Sequence, residues 1–153
     1  LVDADFRQPA CHHALGLPLP RFGLSTLLER HGTLDSVIVP GGVPNLAFLP
    51  SGPRPRDPAA LLSSEQIFEL LDTVTEQYRW VVIDSPPVLP VSDAAVLAPI
   101  VDGVLLVVRA HATPVEAVQV ARDRLEFLGA KILGVVLNDV RVTRSRYFYA
   151  NYA

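Results

Sequence analysis

Three apolar runs in the second half of the chain, residues 80–83, 103–108 and 132–137, each stop abruptly at a polar side chain: Asp84, Arg109 and Asn138. Between them lie two helical patterns. Ser92 can cap a short helix through residue 100. Thr113-Pro114-Val115-Glu116 reads as a capping box with proline at the first helical position, opening a helix to residue 128. Strands that alternate with helices need right-handed crossovers, which set the strands parallel in one sheet with helices on both faces. Unbroken apolar runs fit such strands, because both of their faces are then covered. The opening stretch, Leu1-Val2-Asp3-Ala4-Asp5, has the same character and reads as mid-strand, so a segment is expected before it.

The first half is looser. Nine of the fourteen prolines fall between residues 9 and 58, which predicts loops and short elements there. Residues 24–30 read as a helix, and residues 37–39 and 46–49 as two short strands about the Gly41-Gly42 turn. Residues 58–62 and 63–78 read as helices, the second opened by a Ser63-x-x-Gln66 capping box. The length of 153 residues fits one domain. A net charge of −3 gives no electrostatic case for nucleic acid, and the single cysteine excludes an internal disulfide. No apolar run is long enough to span a bilayer.

Ligands of open α/β sheets bind outside the carboxyl ends of the strands. Asp3 and Asp5 follow the first strand, Pro50-Ser51-Gly52 the strand ending at Leu49, and Asp84, Arg109 and Asn138 the later ones. Three carboxylates near a guanidinium make a poor core and a plausible site for a divalent cation and a phosphate-bearing ligand. The competing reading, helix caps and solvated loop residues, serves for one aspartate better than for three. A phosphate cradle of the G-x-x-x-x-G-K-[ST] type is missing: no Gly-Lys pair occurs, and the only lysine, Lys131, precedes a strand and belongs to the opposite edge. Cys11-His12-His13 reads as the polar start of a helix after Pro9, since three adjacent side chains do not converge on one ion.

Four motifs in order carry a resemblance over nearly the whole chain. Leu1-Val2-Asp3-Ala4-Asp5-Phe6-Arg7-Gln8-Pro9 resembles a variant Walker A′ motif. The segment from Leu49-Pro50-Ser51-Gly52 to Leu61-Leu62 resembles an L-P-x-G-x-x-P-P-N-P-x-E-L-L segment, with Asp57 and Ala60 in place of the asparagine and glutamate. Val82-Ile83-Asp84-Ser85-Pro86-Pro87 through Ser92-Asp93-Ala94 resembles a Walker B region, and Gly134-Val135-Val136-Leu137-Asn138 a strand that ends near the nucleotide. Together they are similar to the cytoplasmic kinase domain of bacterial tyrosine kinases of the capsule and exopolysaccharide chain-length-regulator family. The resemblance implies a P-loop NTPase-like α/β fold, a mostly parallel sheet with helices on both faces, whose first P-loop unit and ring-assembly helix lie upstream of Leu1.

It further implies ATP and Mg²⁺ as cofactors. Asp3 and Asp5 would organise the metal and the attacking tyrosine hydroxyl, Asp84 would hold the metal, Asn138 would contact the base and Arg109 would lie beside the nucleotide. Residues 1–140 would form the partial kinase domain, and 141–153 the start of a tyrosine-rich tail. Three of the four tyrosines, Tyr147, Tyr149 and Tyr152, lie in that tail behind Arg141, Arg144 and Arg146. The family phosphorylates such a cluster between subunits, which implies a homo-oligomer held by tail-to-site contact, a membrane adaptor, a tyrosine phosphatase as partner, no nucleic acid, and a place at the cytoplasmic face of the plasma membrane. A partition-type ATPase switch of the same fold, and a non-catalytic interaction module, stay open as alternatives. An upstream phosphate loop would exclude the module.

Overall fold

The computed structural model describes residues 1–18 and 20–140. Its strands are β1 (Val2–Asp3), β2 (Val39–Pro40), β3 (Ala47–Phe48), β4 (Ile83–Asp84), β5 (Val104–Arg109) and β6 (Ile132–Asn138). Its helices are α1 (Cys11–Ala14), α2 (Leu24–Leu28), α3 (Leu34–Val37), α4 (Pro58–Leu62), α5 (Glu65–Gln77), α6 (Asp93–Leu97), continued by a 3₁₀ turn over Ala98–Ile100, and α7 (Val115–Phe127). β1 pairs with β4 and β5 with β6, both in parallel, while β2 and β3 form an antiparallel hairpin. A bridge from Val2 to Leu49 ties that hairpin to β1. The mostly parallel α/β reading therefore holds.

The main core lies beneath β1 and β3. Phe6, Leu24, Phe48, Leu49, Leu62 and Ile67 are fully buried there. Helix α5 turns Ile67, Leu70 and Val74 onto this core, a spacing that keeps one helical stripe inward. A smaller cluster joins Leu125 and Ala130 to Val88, Val104, Leu106 and Ile132 under the β5–β6 ribbon.

Several local expectations change. Residues 34–37 fold as a helix whose Ser36 hydroxyl accepts from Thr33 N–H, leaving only Val39–Pro40 as strand. Neither expected capping box forms. Ser63 donates back to Ala59 C=O, and α5 starts one residue later, behind Ser64. Thr113 accepts from the Arg109 amide, and α7 starts at Val115 with Pro114 before it. Asp57, standing where the family motif has asparagine, caps α4 by accepting from Ala60 N–H at 3.1 Å.

The expectation of doubly covered strands fails at the second half of the sheet. In β5 and β6, Leu105, Val107, Leu133, Val135 and Leu137 are each more than half exposed. β5 donates from Val104 to Lys131 C=O, and Ala110 beyond it donates to Asn138 C=O. Alternate β5 amides therefore face away from β6, and among the described residues no strand pairs with that edge. β4 is likewise paired on one side only, with β1. The run 80–83 contributes only Ile83 to a strand, and Trp80 and Val82 stand exposed.

Candidate functional site

The parallel register of β1 and β4 sets Asp3 opposite Asp84 as the last residue of each strand. Val2 N–H donates to Val82 C=O and Ala4 N–H to Asp84 C=O, both at 2.8 Å, so the backbone fixes the two carboxylates side by side. Asp3 is buried and Asp84 is exposed. One oxygen of Asp3 accepts from Asp5 N–H at 3.1 Å and the other from Cys11 N–H at 3.4 Å. Burial first, and then the negative charges of Asp84 and Asp5, push the Asp3 pKa up, while the two backbone amides pull it down. A buried acid beside another acid holds its proton more tightly than a solvated one.

A third group joins them. Helix α1 starts just after Pro9 and turns Cys11 back over the strand ends, where its thiol donates to Asp84 at 3.3 Å. Ligand atoms of Asp3, Cys11 and Asp84 all lie within 4.8 Å of one another. Burial, reinforced by Asp84 and Asp3, pushes the Cys11 thiol up to about 12. Sequence reasoning missed Cys11. The helix start after Pro9 was legible, but which side chain it aims at Asp84 is set by the turn between. His12 and His13 stay out of the cluster, as expected.

Asp5 does not join it. Its carboxylate accepts from the Arg7 and Gln8 amides, each at 2.9 Å, and so closes its own loop. The expected carboxylate trio is therefore a pair, Asp3 and Asp84, with Asp5 turned aside by a local side-chain-to-backbone turn. Arg7, from the same loop, reaches Asp93 at the start of α6 through two bonds of 2.7 and 3.0 Å.

Arg109 and Asn138 are register partners at the ends of β5 and β6. Arg109 is bound to Asp139 at 2.8 Å, and Asn138 accepts from the Asp139 amide. Both therefore lie at a strand carboxyl end, on a ribbon that is not paired with β4. Tyr147, Tyr149 and Tyr152 lie outside the described residues.

Mg²⁺ takes hard oxygens, typically one or two protein carboxylates with several waters retained. Asp3 and Asp84 fit that pattern. The protonated thiol of Cys11 suits it less and serves as a hydrogen-bond donor.

No family model matches the chain. Over 153 residues the chain is 32% identical to the tyrosine-protein kinase CpsD of Streptococcus agalactiae, covering 99% of this chain and 67% of that protein. The chain belongs to the bacterial tyrosine kinase family. The chain is also 34% identical over 152 residues to the putative tyrosine-protein kinase CapB of Staphylococcus aureus, covering 99% of its own length and 66% of CapB. It superposes on the kinase domain of Escherichia coli tyrosine kinase ETK with a TM-score of 0.85 and 33% identity, across 94% of this chain and 56% of that one. The kinase chain thus spans about two thirds of CapB and CpsD. Among the described residues no helix is long and apolar enough to cross a membrane.

Proposed function

We propose that residues 1–140 are the larger part of the catalytic domain of an ATP-dependent protein tyrosine autokinase that regulates capsular or exopolysaccharide synthesis and export. The observation that carries this reading is the Asp3–Asp84 pair on neighbouring parallel strands, in a chain of the tyrosine kinase family. Asp3 and Asp84 hold Mg²⁺. Bound Mg²⁺ supplies charge neutralisation at the transferring phosphoryl group. Asp3 and Asp5 orient the tyrosine hydroxyl, and one of the two carboxylates takes its proton. Arg109, freed from Asp139, and Asn138 line the nucleotide. The phosphate loop comes from a strand and helix upstream of Leu1. The unpaired edges of β4 and β5, with the bare face of Leu105, Val107, Leu133 and Val135, support a place for that unit.

The tail, residues 141–153, presents Tyr147, Tyr149 and Tyr152 to the site of a neighbouring copy. A membrane adaptor, fused or separate, holds the kinase at the cytoplasmic face of the membrane, and a tyrosine phosphatase reverses the modification. Each phosphate adds about −1.5 to −2 charge to a basic tail, which weakens its attraction to an acidic neighbour.

The test uses the full-length protein with radiolabelled ATP and Mg²⁺, followed by phosphopeptide mapping. Label on the tail tyrosines is expected, falling about 10²-fold or more in Asp84→Asn, which removes a charge with little change of shape. ATP hydrolysis without any phosphotyrosine would replace the kinase reading with a partition-type switch.

A further inference from the structure

The loop between β1 and α1 carries Asp5 and delivers Cys11, and Phe6 is the residue it packs into the core. Residues 5–11 are mostly half-exposed or exposed, with only Phe6 buried. Beyond the burial of Phe6 in the main core, its link to a distant helix is Arg7. The guanidinium of Arg7 spans 86 residues of sequence to meet both oxygens of Asp93, Nε to Oδ2 at 2.7 Å and Nη2 to Oδ1 at 3.0 Å. Asp93 is completely buried, whereas the Arg7 side chain keeps 33% exposure. A buried carboxylate has to be paired, and a bidentate guanidinium fixes direction as well as distance. Asp93 in turn opens α6, whose Leu97 belongs to the main core. The anchor point is therefore part of a packed helix, whereas the loop, Phe6 apart, lies outside the core.

We propose that Arg7 and Asp93 are positioning residues, a clamp that holds the loop from Asp5 to Cys11 over the ends of β1 and β4. Two sets of bonds depend on where the loop sits. Asp5 accepts from the amides of Arg7 and Gln8, so the Asp5 carboxylate is aimed by the residue that carries the clamp. Cys11 reaches Asp3 through its amide and Asp84 through its thiol. Both strand-end carboxylates thus receive a contact from the clamped loop, although the sheet alone fixes their backbones. The consequence for metal binding rests on the reading of Asp3 and Asp84 given above. The clamp itself does not.

The experiment is hydrogen exchange on the full-length protein, without metal, combined with Mn²⁺ titration. In Arg7→Gln the amides of Arg7, Gln8 and Cys11 are expected to exchange at least about tenfold faster, while those of α5 keep their protection. Mn²⁺ affinity should fall about 10-fold or more, the usual effect of losing a group that orients metal ligands. Arg7→Lys, a point charge without the fork, should recover only part of each effect. Asp93→Asn alone leaves a smaller defect in charge balance than an unpaired carboxylate, and serves if Arg7→Gln does not fold. The double variant Arg7→Gln/Asp93→Asn has no unpaired buried charge, so thermal stability should return while local exchange stays fast. Return of local protection along with stability would overturn the clamp, as would exchange that rises evenly over the whole domain or Mn²⁺ affinity that never changes. Absence of Mn²⁺ binding in the unmodified protein would instead refute the metal reading, and the exchange comparison would still decide the clamp.

Discussion

Replacing Gly23 with alanine tests how tightly the loop after β3 is docked at the edge of the sheet. Gly23 has φ −179°, an extended backbone that alanine adopts freely, so any cost is steric. A Cβ at this position would lie 2.1 Å from Pro50 O and 2.5 Å from Gly52 N, both backbone atoms. Something has to separate. Two bonds hold the approach: Leu24 N–H to Pro50 C=O at 2.7 Å and Ser25 N–H to Ser51 C=O at 2.9 Å. Both lie among buried residues, so water replaces them poorly. Each buried group left unpaired costs about 1–3 kcal/mol, which puts Gly23→Ala at about 2–6 kcal/mol. In a domain of this size that lowers the melting temperature by at least about 5 °C. The assay is urea or thermal unfolding followed by circular dichroism, beside Gly134→Ala as a control, since an added Cβ there meets nothing within 4 Å. Equal stability of the two variants would refute the close docking of Gly23 against residues 50–52.

Three further outcomes follow from the same structure. Burial holds the Asp3 pKa above its ordinary 3.8, so the folded chain keeps this proton more tightly than the unfolded one. The Asp3 contribution to stability is therefore full below that value and is lost as pH rises through the raised pKa. The urea midpoint of the unmodified protein minus that of Asp3→Asn should fall across this window, and a difference that rises would contradict it. The 153-residue chain by itself should show no low-micromolar MgATP binding by calorimetry, because it contains no Gly-Lys phosphate loop; such binding would show that the described edge cradles phosphate unaided. The same chain should bind a hydrophobic dye through the bare β5–β6 face, and Val107→Thr with Val135→Thr should reduce the signal, whereas full-length protein should bind little. Strong dye binding by the full-length protein would mean that nothing upstream covers this face.

Sequence alone determined the elements and the edge. Apolar runs ending at Asp3, Asp84, Arg109 and Asn138 mark strands whose carboxyl ends carry polar groups, and period alone separates them from the α5 and α7 helices. Register then brings Asp3 against Asp84 and Arg109 against Asn138, each pair at the carboxyl end of its own parallel ribbon. Turn chemistry was less legible. Hydroxyls at Ser63 and Thr113 had several backbone partners within reach, and packing chose ones that make no capping box.

Only the tertiary structure decided the rest. Asp5 stands apart from Asp3 and Asp84, its carboxylate accepting from two amides of its own loop. Cys11 entered because a four-residue helix turned it over Asp84, and Arg7 found Asp93 across 86 residues. Sequence periodicity reports which face a residue points to, but not what lies beyond that face. That is why the strands read as buried on both sides, while β5 and β6 carry one bare face and β4 and β5 one unpaired edge each among the described residues. Burial is a property of what packs against a strand, and side-chain pairing is a property of what the chain folds back to meet. Neither is written in the spacing of a single segment.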